Sequence, residues 1–422
     1  MPAGQQRECE PSPAVWRIVK GAAPQSSASA PAYLETAAAV EQFVASIDGA
    51  TTLAVDTEGA SFHRYHDRIY LLQLSTRERH AIIDPLRAGT LDALGAVVES
   101  RAVEIVFHDA DYDLRLLYQD YGWHVANIFD TRLAAQLLGI RAFGLAALLQ
   151  SFFDVRLDKR FQRADWSMRP LSKEMLAYAA QDTMHLLELR EQLRAELERR
   201  GRWSWATEEF ERLEGTRWEE EDAATGFLRI KGARDLTRRE LAVLRELVPW
   251  REEVARELDR STFRVVGNEV LLELSRRAPA TKAELGTIRG MPRGMIDTRA
   301  AGVLDAIKRG LGVAEADLPR FPKSPRWARD PDFDDRVNRL RQVRDAKARD
   351  LDLEPGVLCP RERLEAIARR QATSRDALAE VPDLRRWQIE VLGADLVRAM
   401  GSPNGGRGSN TGASASARAA GA

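Results

Sequence analysis

Apolar and polar positions follow two rhythms along the chain. Between residue 32 and about residue 153, short apolar runs separate stretches with helical spacing; beyond Trp166 only the helical rhythm remains. Residues 34–47 predict a helix. Residues 51–56 predict an opening strand, 69–74 a second, 81–84 a third and 103–107 a fourth, with a helix over 91–99 before the last of these. The fourth strand runs into His108-Asp109-Ala110-Asp111-Tyr112-Asp113, where a helix begins and continues past Leu117. A short strand at 128–129 follows, then helices over 133–138 and 145–153, and one long amphipathic helix over 172–199. This order suits an α/β domain, a mixed five-stranded sheet flanked by helices.

The remainder is all helical and contains a duplication. Ala255, Leu258, Leu271, Leu285, Ile288 and Ile296 recur as Ala348, Leu351, Leu364, Leu378, Val381 and Ile389, each pair 93 residues apart (348 against 255, and so on). Arg256 and Asp259 recur as Arg349 and Asp352 at the same offset. The expected organisation is a disordered segment at 1–31, an α/β domain at 32–205, a charged linker at 206–232 and a first helical domain at 233–312. A Pro-rich linker at 313–330, a second helical domain at 331–400 and a disordered tail at 401–422 complete it.

Composition narrows the class. Charged residues make up 30% and hydrophobic residues 44% of 422, without an apolar run of the roughly 18 residues a membrane span needs. Two cysteines, Cys9 and Cys359, build neither a disulfide framework nor a zinc site, and no secretory pattern opens the chain. A cytoplasmic protein is expected. The net charge of −1 gives no global basic field, so contact with nucleic acid must come from local patches. No Gly-x4-Gly-Lys-Ser/Thr loop is present, which excludes a P-loop helicase and a nucleotide cofactor of that kind.

Acids supply the candidate chemistry. Asp56 and Glu58 end the first strand one residue apart and project to the same face, where two ionised carboxylates need a cation between them. Asp113 lies in the first turn of the helix after the fourth strand, and Tyr178 and Asp182 share one helix face at i and i+4. Each alone is an ordinary cap or pair. Together, four acids with a tyrosine can hold two divalent cations, and oxygen ligands suit Mg²⁺ or Mn²⁺. Asp84 and Asp130 are expected as a turn residue and a helix cap, and Asp109 and Asp111 as solvated.

Asp56-x-Glu58, His108-x4-Asp113 and Tyr178-x3-Asp182 resemble the three motifs of the DEDD 3′→5′ exonucleases, in the tyrosine subclass. Lys159-x2-Gln162-x2-Asp165-Trp166-x2-Arg169-Pro170-Leu171 is similar to the ribonuclease D family, and the duplicated module resembles the HRDC (helicase and ribonuclease D C-terminal) domain. The resemblance implies a ribonuclease H-like exonuclease fold followed by two HRDC-type domains. It further implies a metal set of Asp56, Glu58, Asp113 and Asp182, with Asp56 bridging both metals. Glu58 and Asp182 would hold the metal that activates water, Asp113 would position the second, and Tyr178 would orient the attacking water or help deprotonate it.

The activity so implied is release of 5′-mononucleotides from RNA 3′ ends, in tRNA and structured-RNA maturation, by a monomer. Phe62, Arg64, Tyr65 and Arg68, near Tyr70, form an aromatic and basic cluster that either stacks bases and meets phosphates or packs into the sheet. His108, Trp166 and Arg169 complete the candidate substrate contacts. Arg251, Arg256, Lys282, Arg289, Arg293, Lys308 and Arg309 give the first module either a basic face or a plain solvated surface among its glutamates. The acids do not separate RNA from DNA, so a DNA 3′ exonuclease and a catalytically silent nucleic-acid adaptor stand as alternatives.

Overall fold

The computed structural model describes residues 31–219, 222, 224–322 and 330–401. The disorder expected over 1–31 and 401–422, and part of the Pro-rich linker, fall outside those residues save at their edges. Among the described residues, no helix is long and apolar enough to cross a membrane.

The sheet contains β1 (Ala32–Leu34), β2 (Thr52–Glu58), β3 (Leu71–Ser75), β4 (His80–Ile83), β5 (Glu104–Phe107) and β6 (Ile128–Asp130), in the order β1-β4-β3-β2-β5-β6. It is six-stranded rather than five: β1, just before the expected first helix and sharing only Leu34 with it, adds a strand parallel to β4. The helix α1 (Ala37–Ser46) begins only after Thr36, whose side chain accepts the Ala39 N–H. β2 sits between β3, antiparallel, and β5, parallel, so its backbone is held on both sides. Leu53, Val55, Leu72, Leu74 and Ile83 face one core, shared with α2 (Asp92–Val98) and α3 (Asp111–Tyr121). Leu71 and Ile82 face the other way, against Trp166, Ala179 and Ala180.

After β6 come α4 (Thr131–Leu137) and α5 (Leu145–Phe153). The single long helix expected next is two, α6 (Lys173–Met184) and α7 (Leu186–Arg199), parted at His185. α8 (Trp203–Leu213) then runs into the segment read as a charged linker. That segment also supplies core: Phe227 and Ile230 are buried with the first helical module.

The first module comprises α9 (Arg238–Leu258), α10 (Asn268–Arg277) and α11 (Arg293–Leu311), and the second α12 (Phe333–Asp350), α13 (Arg361–Arg370) and α14 (Arg386–Gly401). The duplication extends to backbone detail. Asp259, Ala278 and Gly290 have positive φ, as do Asp352, Gln371 and Asp383, each 93 residues on (352 against 259). Arg251 donates to the Val266 carbonyl and Arg344 to the Cys359 carbonyl, the same bond at the same offset. Arg251 is thus buried and leaves the expected basic face.

The described residues form two compact units. One holds the sheet, α6 and the first module. In the other, the second module joins residues 135–141 and 197–209. There Trp205 stacks on Trp387 with centroids 4.8 Å apart, and the Trp387 indole donates to Glu209 at 2.9 Å.

Candidate active site

β2 ends in Asp56 and Glu58 on the face covered by α6, which carries Tyr178 and Asp182. Ser75 on β3 and Thr183 on α6 fix that cover, their hydroxyls 2.7 Å apart. As a result Asp56, Glu58 and Asp182 each bring a carboxylate oxygen within 4.8 Å of the others, three half-buried acids from positions 126 residues apart (182 − 56). Tyr178 stands one turn before Asp182, edge-on to Phe161 at 5.7 Å and tilted against Trp166 at 6.0 Å.

Asp113 reaches the same strand end from the opposite face. It is buried in the first turn of α3, outside the group of three, and its Oδ1 accepts the Thr57 N–H at 3.1 Å and the Thr57 hydroxyl at 2.5 Å. Thr57 points away from Asp56 and Glu58, on the face from which it holds the fourth acid. Local sequence pattern assigns Thr57 no such role, because its partner lies 56 residues away.

The charge is unbalanced. Burial first, then repulsion from the other carboxylates, raises Asp56 and Glu58 well above the ordinary carboxyl range. Burial pushes Asp113 and Asp182 up to about 7. Burial, reinforced by the charges of Asp182, Glu58 and Asp56, also raises Tyr178, so its phenol keeps its proton. A site made only of oxygen ligands whose ionised forms repel one another fits a hard divalent cation.

Asp130, expected as a helix cap, accepts the Arg132 and Leu133 N–H groups and also the Ala110 N–H at 2.8 Å, tying β6 to the start of α3. Asp109 and Asp111 pair with Arg132 and Arg115 at the surface.

Three proposed substrate residues are engaged elsewhere. Arg169 donates to both oxygens of Asp84, at 2.6 and 3.0 Å, and to the carbonyls of Tyr70, Trp166 and Met168, which commits its guanidinium to the fold. Trp166 is only 2% exposed and belongs to the core under α6. His108 is half-buried with Nδ1 2.9 Å from the Thr131 hydroxyl, and burial together with the Arg132 charge pushes it down to about 4, leaving it neutral.

The cluster after the first motif is different. Phe62 is 44% exposed and meets Phe263 of the first helical module, itself 47% exposed, at 5.0 Å. Arg264 lies over the Phe62 ring and Arg256 over Tyr65. The Ser261 hydroxyl donates to the Phe62 carbonyl at 2.6 Å, and Arg64 bonds Asp259 and Ser167. Arg68 is exposed. Tyr70 is buried. The aromatics therefore divide: Tyr70 packs into the sheet, while Phe62 remains open beside a ring and cations from a distant part of the chain.

Residues 31–198 match a family model described as a 3′–5′ exonuclease, and residues 240–307 and 333–400 each match the HRDC domain. A ribonuclease D from Granulibacter bethesdensis is 32% identical over 349 residues, covering 82% of this chain and 86% of that protein. A protein of known structure from Bifidobacterium adolescentis is 28% identical, with a TM-score of 0.73 over 88% of this chain and 97% of that one. Escherichia coli RNase D shares the fold at 23% identity, with a TM-score of 0.68 over 88% of this chain and 98% of that one. Sequence likeness along most of both chains, on a sheet that gathers the motif acids at one strand end, has one consequence: the chain belongs to the ribonuclease D family, an exonuclease domain of the 3′–5′ type followed by paired HRDC domains.

Proposed function

We propose that the chain is a divalent-cation-dependent 3′→5′ exoribonuclease that releases 5′-mononucleotides from RNA 3′ ends, with precursor tRNA and other structured RNA as substrates. The observation that carries this reading is the gathering of Asp56, Glu58 and Asp182 within 4.8 Å, in a chain whose relatives are named ribonuclease D. Asp56, Glu58 and Asp182 would hold one cation, and Asp113, with Asp56, a second. Bound there, Mg²⁺ or Mn²⁺ supplies Lewis-acid chemistry, activating water and neutralising charge on the leaving oxygen. The protein's own groups do the rest. Tyr178, holding its proton, donates a hydrogen bond that orients the water, and Thr57 keeps Asp113 facing the strand end.

RNA approaches over Phe62 and Phe263. Unpaired bases would stack on the exposed rings, and Arg264, Arg256 and Arg68, beside them, would meet phosphates. The first HRDC module thus lends half of the approach surface. The acids, Tyr178 and the Phe62–Phe263 surface come from one chain, which is compatible with a monomer, and the lack of a disulfide pattern suits the cytoplasm.

Purified protein with Mg²⁺ or Mn²⁺ on matched 5′-labelled RNA and DNA tests the reading. Stepwise shortening of RNA to mononucleotides is expected. A preference for DNA would move the substrate class, endonucleolytic fragments would overturn the exonuclease, and tight binding without cleavage would make the chain an adaptor.

A further inference from the structure

Gln73 lies in the middle of β3, paired with Asp56 on β2 and with Ile82 on β4. Residues directly opposite in an antiparallel pair project to the same face, their Cβ atoms about 4.5–5.5 Å apart. Gln73 therefore stands beside Asp56 on the face that α6 covers. Its surroundings on that face are otherwise settled. Ser75, two residues on, bonds Thr183, and Leu71 and Ile82 pack with Ala179 and Ala180.

The carboxamide is 0% exposed, and neither Nε2 nor Oε1 has a hydrogen-bond partner among the described residues. A buried amide left unpaired costs free energy that an apolar side chain of similar volume would avoid. The core around it offers no reason for a polar group. Its strand partner does. Among the described residues no side chain is bonded to Asp56, Glu58 or Asp182; neighbouring carboxylates repel Asp56 and Glu58, and only the Thr57 backbone N–H offsets this at Asp56.

We propose that Gln73 is the positioning residue for Asp56: its Nε2, which has no partner among the described residues, would donate to one Asp56 carboxylate oxygen when a cation binds and so leave the other to the cation. The proposal rests on the divalent-cation reading given above. An amide suits the role better than the alternatives. It supplies a donor without a charge, whereas Lys or Arg at this position would pair with Asp56 and compete with the cation, and Glu would repel it. Outer partners of metal ligands typically change affinity or rate by about 10–100-fold when removed.

The test uses the full chain with Gln73→Leu and, as a second apolar replacement, Gln73→Met. Mn²⁺ binding is measured calorimetrically without RNA, melting is followed in chelator, and kcat and KM are taken on labelled RNA. Both variants are expected to melt at or above the parent in chelator, since the unpaired amide is gone. Their Mn²⁺ half-saturation should rise about 10-fold, and kcat should fall by a similar factor with KM unchanged. Unchanged Mn²⁺ affinity and kcat in the variants would overturn the proposal. So would lowered melting with intact Mn²⁺ binding, or loss of the fold in both, since either makes Gln73 a structural residue. If the parent itself neither binds Mn²⁺ nor shortens RNA, the underlying cation reading falls instead.

Discussion

At the ends of β4 and β2, separated by a single strand of the same sheet, acids meet opposite surroundings. Asp84 is fully buried, yet it receives Arg169 on both oxygens, the Tyr33 hydroxyl at 2.7 Å and the Leu86 N–H at 3.1 Å. Burial alone would raise its carboxyl; the bonds from Arg169 and Tyr33 outweigh that and hold it below the ordinary range. Among the described residues, Asp56, Glu58 and Asp182 receive no cationic side chain; burial raises all three, and repulsion from neighbouring carboxylates adds to it at Asp56 and Glu58. The same residue type is thus a clasp in one place and an unfinished site in the other. What separates them is the missing counter-charge. A fold tolerates such an imbalance where a ligand completes it.

The contrast can be broken from either side. The largest effect is expected from Asp56→Asn or Asp182→Asn: mononucleotide release should vanish, while melting in chelator stays level or rises because repulsion is relieved. A variant that cleaves RNA at a near-normal rate would remove that acid from the chemistry. Arg169→Met attacks the other strand end. It leaves a buried charge with only neutral partners, which costs about 3–5 kcal/mol. Thermal unfolding should show that loss with Mn²⁺ half-saturation unchanged; unaltered stability with weakened RNA binding would return Arg169 to the substrate.

Acidity sharpens the comparison. In the cation-free protein Asp113 and Asp182 titrate near 7, above the unfolded value, so the folded form binds extra protons between about 4 and 7. Their contribution to stability is full below the unfolded value and lost as pH rises through 7. Divalent cations must displace those protons, so the rise in melting temperature on adding Mg²⁺ should be larger at pH 8 than at pH 6. A shift independent of pH would mean that these acids are already ionised without metal. Asp84 behaves in the reverse sense: its stabilisation holds above the ordinary carboxyl value and is lost as pH falls through its lowered one. The smallest effect belongs to Thr57→Val, which removes one hydroxyl bond to Asp113 and keeps the backbone one. About 1 kcal/mol of stability and a roughly 10-fold fall in kcat are expected.

The acids were legible in the sequence because their spacing, Asp56 with Glu58 and Tyr178 with Asp182, follows from strand and helix periods. Their partners were not. Trp166 and Arg169 carry chemistry that suits RNA, but what they do is set by residues up to 99 positions away, Tyr70 and Asp84 among them. Thr57 and Gln73 sit inside strands already recognised, and only the pairing of β2 with β3 and the approach of α3 give them a role. β1 has no signature in the sequence because three residues carry no measurable period, and the break at His185 has none because no Gly or Pro marks it. The duplication, by contrast, is legible at single-residue resolution, since an offset of 93 without gaps carries positive-φ positions and even one arginine bond across both copies (344 against 251).

The seam at Phe62 and Phe263 bears on how the enzyme can be dissected. Ser261 and Phe62 are bonded across 199 residues of chain, well beyond residue 198, where the match to the exonuclease family model ends. A fragment cut at that border would keep all four acids and Tyr178 but strip Phe62, Arg64 and Tyr65 of their neighbours. The smallest piece that preserves both the acids and the seam ends past α11, so the catalytic border and the homology border do not coincide.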